Sequence, residues 1–271
     1  MTRARWFAIA FASATLMPGS LPSNLLQRGL PTILELLMPR DTHQIFWRVG
    51  RMSHFLLWVF AGSFLVMTLA CNRVTAAVQI PDPALDAPLA TTKGEQTAVV
   101  AGGCFWGIQA VFKHVKGVIS STSGYAGGSA DTAHYEVVSM GNTGHAEAVQ
   151  IVYDPSQVSY GQLLKVFYSV SHDPTTLNRQ GPDTGTQYRS AIFYTSDEQQ
   201  RIAQAYIAQL DQAKVFDGKI ITEVSPLKAF YKAEGYHQDY AFRHPNEPYI
   251  RINDLPKVEN LRKQLPDLYK Q

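Results

Sequence analysis

Two residues in this sequence have the type and placement for nucleophilic or acid–base chemistry, Cys104 and Glu147. Cys104 follows Gly102 and Gly103 and precedes Phe105, Ile108, Val111, Phe112 and Val115. That spacing of three and four predicts a helix beginning near the cysteine. A thiol at a helix start faces unpaired backbone N–H groups and the positive end of the macrodipole, which predicts a lowered thiol pKa and a nucleophile at neutral pH. The two glycines would let a substrate reach the sulfur without meeting a Cβ. For a single cysteine the competing reading is inert packing. Glu147 lies in the alternating run Ala146 to Tyr153, on the face that also carries Val149, Ile151 and Tyr153. A carboxyl on an apolar face is desolvated, so its pKa rises and it stays protonated near neutral pH, as a general acid must. Its competing reading is an edge carboxylate paired with Arg or Lys.

The elements that must hold these two residues can be read from hydrophobic period and turn residues. Thr97 to Ala101 predicts a buried strand that Gly102-Gly103 turns into the helix at Cys104. Val118 to Tyr125 and Ala146 to Tyr153 predict strands, the second stopped by Asp154-Pro155. Ser159 is placed to cap a helix through Val170, and a long loop rich in Gly, Pro, Asn and Asp follows from Ser171 to Gln187. Arg189 to Tyr194 is a further strand. Ser196 with Gln199 predicts a capping box opening a helix through Lys214. Ile220 to Val224 is the last strand expected, with loop and short helix beyond it. Strand and helix periods alternate from Thr97 to the end, so residues 97–271 read as one α/β or α+β domain.

Around the two reactive residues the sequence holds five motifs in order. They are Gly103-Cys104-Phe105-Trp106-Gly107, Gly144-His145-Ala146-Glu147-Ala148-Val149, Asn178-Arg179-Gln180-Gly181 with Asp183, Gly185-Thr186-Gln187-Tyr188-Arg189-Ser190, and Ala233-Glu234-Gly235-Tyr236-His237-Gln238-Asp239-Tyr240. Together, over about residues 97–250, they resemble the peptide-methionine (S)-S-oxide reductase family, methionine sulfoxide reductase A. The resemblance implies a two-layer sandwich around a mixed β-sheet. It also implies reduction of methionine (S)-sulfoxide, free or in oxidised proteins, by Cys104 with Glu147 as the acid, in repair of oxidative damage. Tyr135 and Tyr188 then correspond to hydrogen-bond donors to the sulfoxide oxygen, Asp183 to a polar partner near the thiol, and Phe105 and Trp106 to an aromatic cage around the substrate methyl. The chemistry is consistent with these types: sulfoxide reduction needs a nucleophile at sulfur and a proton for oxygen, neutral phenols can polarise S=O, and aromatic faces exclude water. No cofactor is implied.

Many family members carry recycling cysteines after the His-Gln-Asp-Tyr motif. This sequence has none after Cys104, and Tyr249-Ile250 stands about where the first is expected. A single-thiol enzyme is therefore expected, its oxidised Cys104 reduced by an external thiol such as thioredoxin. Two other readings of Cys104 are a thiol hydrolase acting with a histidine and a domain that binds oxidised partners without turnover. His145, His237 and His244 with Asp239 lack the spacing of a helical metal site, so packing or hydrogen bonding is expected of them and no metal.

Composition sets the remaining bounds. The chain has 271 residues, 45% hydrophobic and 17% charged, enough for one well-buried core or two small ones. Its net charge is +2, but six of the 24 Lys and Arg and two of the 22 Asp and Glu lie in the first 51 residues, leaving 18 against 20. The remainder is near neutral, with no basic run interleaved with aromatics, which argues against a nucleic-acid partner. Two cysteines make no disulfide framework. Cys71 closes an uncharged run from Phe55 to Ala70 flanked by Arg48, Arg51 and Arg73, the layout of a signal h-region. Thr68-Leu69-Ala70-Cys71 resembles a lipoprotein cleavage box that usually has Leu where Thr68 stands. Cleavage after Ala76 or Ala77, or retention as a membrane anchor, are the alternatives. An exported or membrane-anchored monomer is expected. Residues 1–51, with a second apolar run from Trp6 to Met17, read as a leader of doubtful status, an upstream extension of a true start at Met52 or, alternatively, a transit peptide. Residues 52–77 read as the signal or anchor, and residues 78–96, rich in Pro, Asp, Ala and Thr, as a linker.

Overall fold

A computed structural model describes residues 80–271; the readings of residues 1–51 and 52–77, with Cys71, lie outside the described residues. A six-stranded mixed sheet forms the centre. It comprises β1 (Gln96–Ala101), β2 (Val118–Ala126), β3 (Ala146–Tyr153), β6 (Ala191–Tyr194), β7 (Glu223–Pro226) and β8 (Phe230–Lys232), in the order β7-β6-β1-β3-β2-β8. Only β6 and β7 run parallel; the other neighbours are antiparallel.

The period of two gives the sheet two different faces. Ala98, Val100, Val149, Ile151 and Tyr153 point into the larger core, where they meet the helices α1 (Phe105–Lys113), α3 (Tyr160–Val166), α4 (Asp197–Gln212) and α6 (Leu255–Gln264). Val99, Ala101, Ala126, Ala146, Ala148 and Ala191 point the other way into a smaller cluster covered by Leu227 and Phe230. The helices therefore lie on one face, the two-layer arrangement expected. Short elements complete the chain: α2 (Tyr135–Val138), α5 (Tyr240–Arg243) and a two-residue hairpin of β4 (Arg179–Gln180) with β5 (Asp183–Thr184).

The long periodic elements fall where the sequence puts them, and the departures have local causes. Ser159 caps α3 with a full capping box, its Oγ accepting from Gln162 N–H at 3.1 Å and Gln162 Oε1 accepting from Ser159 N–H at 3.0 Å. The helix then widens into a π-turn over Phe167–Ser171. Ser196 makes only half a box: its Oγ accepts from Gln199 N–H, but the Gln199 amide is drawn off to Thr195 N–H and to the Thr97 carbonyl on β1. The last expected strand is displaced from 220–224 to β7 at Glu223–Pro226, because Ile220 is buried and Ile221 N–H bonds the Pro174 carbonyl. Strand β8, in a stretch read as loop and short helix, is three residues long and shows no alternation to read.

The segment read as an unpacked linker lies on the domain from Ile80 onward, held by polar contacts and one buried isoleucine instead of apolar bulk. Tyr206 OH donates to the Pro81 carbonyl at 2.7 Å, Lys165 pairs with Asp82 at 2.6 Å, and Gly161 N–H donates to Asp86 at 2.7 Å. Asp86 also accepts from the Ser159 hydroxyl. One hydroxyl thus serves as a helix cap and as an anchor for this strap. Ser159→Ala should lower stability by about 1 kcal/mol or somewhat more, the usual cost of a lost N-cap, seen as a drop in Tm on thermal unfolding. An unchanged Tm would show that neither bond contributes.

Candidate active site

The site is assembled where β1 ends. Val100 pairs with Val149 on β3, and Glu147 pairs with Tyr125 on β2, so the turn after Ala101 passes over the Glu147 end of the sheet. Gly103 has φ +93°, and a Cβ there would stand 2.6 Å from Gln180 Cβ; at Gly102 it would stand 2.7 Å from the His172 ring. These close approaches require glycine at both positions. They clamp the turn between β4 and the π-turn and deliver Cys104 as the N-cap of α1.

Cys104 and Glu147 are both buried, at 7% and 3% exposure. Glu147 Oε2 accepts from the Phe105 N–H at 3.1 Å, so the carboxyl sits against the same open helix end as the thiol. Burial pushes the Glu147 carboxyl up to about 8, against the pull of the Phe105 N–H, and the charges of Asp183 and Asp254 push the same way. The carboxyl is protonated at neutral pH, as its apolar face predicts. The thiol departs from expectation. Burial pushes Cys104 well above its ordinary range, and the carboxylates of Glu147 and Asp254 push it further; the Trp106 N–H and Lys257 pull it down by less. Helix-start polarity is present, but desolvation and two acidic neighbours outweigh it. The resting pair is a neutral thiol beside a neutral acid.

Aromatic side chains roof this pair. Phe105 is fully buried, 6.4 Å from the Trp106 ring and 5.9 Å from Tyr125. Trp106 stacks on Tyr240 at 3.9 Å, meets Tyr249 edge-on at 6.0 Å and donates its indole N–H to His237 Nδ1 at 3.1 Å. Tyr135 packs on His237 at 4.4 Å, and its backbone N–H donates to Glu234, which also accepts from Tyr125 OH at 2.9 Å. Burial, with the charge of Glu147, raises both the Tyr135 and the Tyr188 phenols, and both are coupled to Cys104 and Asp183. Both therefore hold their protons. Asp183 reaches the site through Tyr249, whose hydroxyl donates to it. Trp106 also walls a groove of about 470 Å³ shared with Ala110, Phe242 and Leu255, outside the thiol's enclosure.

All seven residues singled out in the sequence thus surround one point or couple to it. Tyr249, Asp254 and Lys257 belong to the same surroundings and carried no motif of their own. His145 and His237 form hydrogen bonds, His145 bridging Gly128 N–H and the Ser129 carbonyl, and His244 lies 3.7 Å from Glu247. The hydrogen bonds that His145, His172 and His237 make go to other partners than Cys104.

A buried thiol beside a protonated carboxyl, with aromatic side chains around them, is the kind of site a thiol-dependent reductase would use. Comparison with known proteins agrees. Residues 96–268 match the family model for peptide methionine sulfoxide reductase. The chain is 59% identical over 176 residues to peptide methionine sulfoxide reductase MsrA 2 of Mesorhizobium japonicum, covering 65% of this chain and 90% of that one. It is 52% identical over 216 residues to the MsrA 2 of Synechocystis sp., covering 79% and 98%. Among solved structures it resembles methionine sulfoxide reductase A of Corynebacterium diphtheriae, with a TM-score of 0.50 and 34% identity over 65% of this chain and 91% of that one. Reduced Mxr1 of Saccharomyces cerevisiae gives a TM-score of 0.51 and 32% identity over 60% and 92%. The chain belongs to the peptide methionine sulfoxide reductase family, and its activity is peptide-methionine (S)-S-oxide reduction, a repair of oxidised protein.

The two buried groups can be separated experimentally. Glu147→Gln keeps an oxygen for the Phe105 N–H but removes the negative charge that opposes the thiolate. Alkylation of Cys104 by iodoacetamide should then reach its midpoint at lower pH than in the wild type, while the single-turnover sulfoxide step slows by roughly 10²-fold, the scale of a lost general acid. A rate that rises with the easier thiol ionisation would show that the proton comes from elsewhere.

Proposed function

We propose that Cys104 is the nucleophile and Glu147 the proton donor of this reduction. The observation that supports it best is the placement of both against one helix end, with the carboxyl kept protonated to about pH 8 by burial. Phe105 and Trp106 enclose the substrate methyl, while Tyr135 and Tyr188 donate to the sulfoxide oxygen. The Cys104 sulfur attacks the sulfoxide sulfur as Glu147 passes its proton to the oxygen, and the thiol proton returns to the carboxyl. The hydroxyl then shifts from the methionine sulfur to the Cys104 sulfur as the newly formed sulfur–sulfur bond breaks, so that methionine leaves and Cys104 is left as a sulfenic acid. Methionine sulfur gains the electron pair that Cys104 loses, and no proton is consumed. Asp183 acts through Tyr249, which lies beside the thiol's surroundings.

Cys104 is the only cysteine among the described residues. In this reading its sulfenic acid is reduced by an external dithiol such as thioredoxin, which takes the oxygen away as water and ends as a disulfide. Residues 52–77 would carry the domain to an exported or membrane-anchored position, and the intact mass of the mature protein tests that.

Two measurements test the chemistry. Because the acid form of Glu147 is required, the single-turnover rate should be level at neutral pH and fall as pH rises through about 8; a rate that climbs there would point to thiolate as the limiting species. In a variant that starts after Cys71, excess S-sulfoxide without reductant should release one methionine per protein and leave Cys104 trappable by dimedone. Cys104→Ser should release none. The R epimer should give almost none from the wild type. Continued turnover without added thiol would overturn the single-thiol cycle.

A further inference from the structure

Asp254 and Lys257 form an ion pair directly under the catalytic helix, yet neither is part of the chemistry described above. Asp254 ends the π-turn Ile250–Asp254 and is fully buried, with Lys257 Nζ 3.3 Å from its Oδ1. Its other oxygen has no hydrogen-bond partner among the described residues. The pair lies against the first turn of α1: a Cβ added to Gly107 would stand 2.2 Å from Asp254 Oδ1 and 2.9 Å from Lys257 Nζ. A carboxylate at this depth stabilises the helix's N–H end but competes with a Cys104 thiolate for the same positive potential. Desolvation makes an unpaired charge there expensive.

We propose that Lys257 is a positioning residue for the reduction, a fixed cation that cancels the Asp254 charge beneath α1 and so sets the charge balance in which the Cys104 sulfur becomes nucleophilic. The groups coupled to the thiol or gathered around it are Glu147 from β3, Tyr135 from α2, Asp183 from β5, Tyr188, Tyr249 and Asp254 from the connecting turns, and Lys257 from α6. His172 against Gly102 and His237 against Phe105 are both lowered by burial and stay neutral, so Lys257 is the one cation of this group. Its influence and that of Asp254 on the thiol run in opposite directions. The Lys257 side chain is only partly exposed, at 21%, so solvent screens its charge less than that of a surface lysine.

The assignment rests on Cys104 as nucleophile, and it predicts opposite displacements from the two halves of the pair. The probe is iodoacetamide alkylation of Cys104 across pH, without substrate, in the full chain. Lys257→Met should move the midpoint up by about one pH unit and Asp254→Asn should move it down by a similar amount, the low end of what one nearby charge does. Lys257→Arg should keep the wild-type midpoint. In single turnover with a sulfoxide peptide, Lys257→Met should be slowed about tenfold with KM little changed. A Lys257→Met midpoint equal to wild type, or displacements of the same sign in both variants, would overturn the proposal, since a purely structural pair has no reason to move them apart. If Asp254→Asn fails to fold, the contrast between Lys257→Met and Lys257→Arg decides it. Unmoved midpoints in variants of an enzyme still dependent on Cys104 would leave the reductase mechanism standing; loss of that dependence would remove the mechanism instead.

Discussion

The open N-terminal end of α1 is a small region of positive potential, and three acidic groups compete for it. Cys104 caps the helix, Glu147 accepts the Phe105 N–H, and Asp254 lies against Gly107. In water each could ionise independently. Under the roof of Phe105, Trp106 and their neighbours, each negative charge raises the cost of the next. Asp254 has Lys257 as counter-charge, so the other two meet the shortage by keeping their protons. The reactive state is thus set by exclusion of water more than by any single contact.

The fold serves this constraint by fixing both ends of the competition in regular structure. Glu147 is held by β3, which pairs with β1 as far as Val149 and with β2 through Ala146, so its backbone is fixed where the β1 ladder ends. Cys104 is held by a turn whose glycines are enclosed by His172 and Gln180. His172 is itself buried, its Nδ1–H donating to the Phe167 carbonyl and its Nε2 accepting from the Ser190 hydroxyl, and burial lowers its ring to about 3. It stays neutral and adds no charge to the crowded region. From the other side, the Glu234 and His237 contacts tie β8 and its following turn to Trp106 and Tyr135, so the aromatic roof is anchored by the sheet edge.

What could be read from sequence depended on whether a residue's role was local. Strand β3 and helix α1 show their faces in their own periods, so the burial of Glu147 and the N-cap place of Cys104 followed from the residues beside them. Asp254 and Lys257 act across more than a hundred positions of chain. Asn253-Asp254-Leu255-Pro256 reads locally as the start of a helix, and Asp254 makes no side-chain cap there because its carboxyl is turned to Gly107. Tyr249 was visible only as a residue standing where a cysteine was expected, although its hydroxyl ties Asp183 to the site. The sign of the thiol's displacement is not legible in the local sequence for the same reason. The helix-start rule describes one local contribution, and the opposing ones come from β3 and from the turn before α6.

A neutral resting thiol has a physical advantage in an enzyme whose substrate is itself a product of oxidation. Peroxides react with thiolate and scarcely with thiol, so a permanently ionised Cys104 would be consumed by the conditions that create its substrate. The sulfoxide differs from peroxide in bringing a strongly polar oxygen that can receive a proton inside the enclosure. In the proposed mechanism, with that acceptor in place, moving the Glu147 proton to oxygen and the thiol proton to Glu147 would ionise nothing permanently and would leave the number of buried charges unchanged. Activation of the nucleophile is then coupled to the presence of the one ligand able to accept the proton. On that proposal, the burial that holds Cys104 in its neutral form would supply the selectivity as well as the acid.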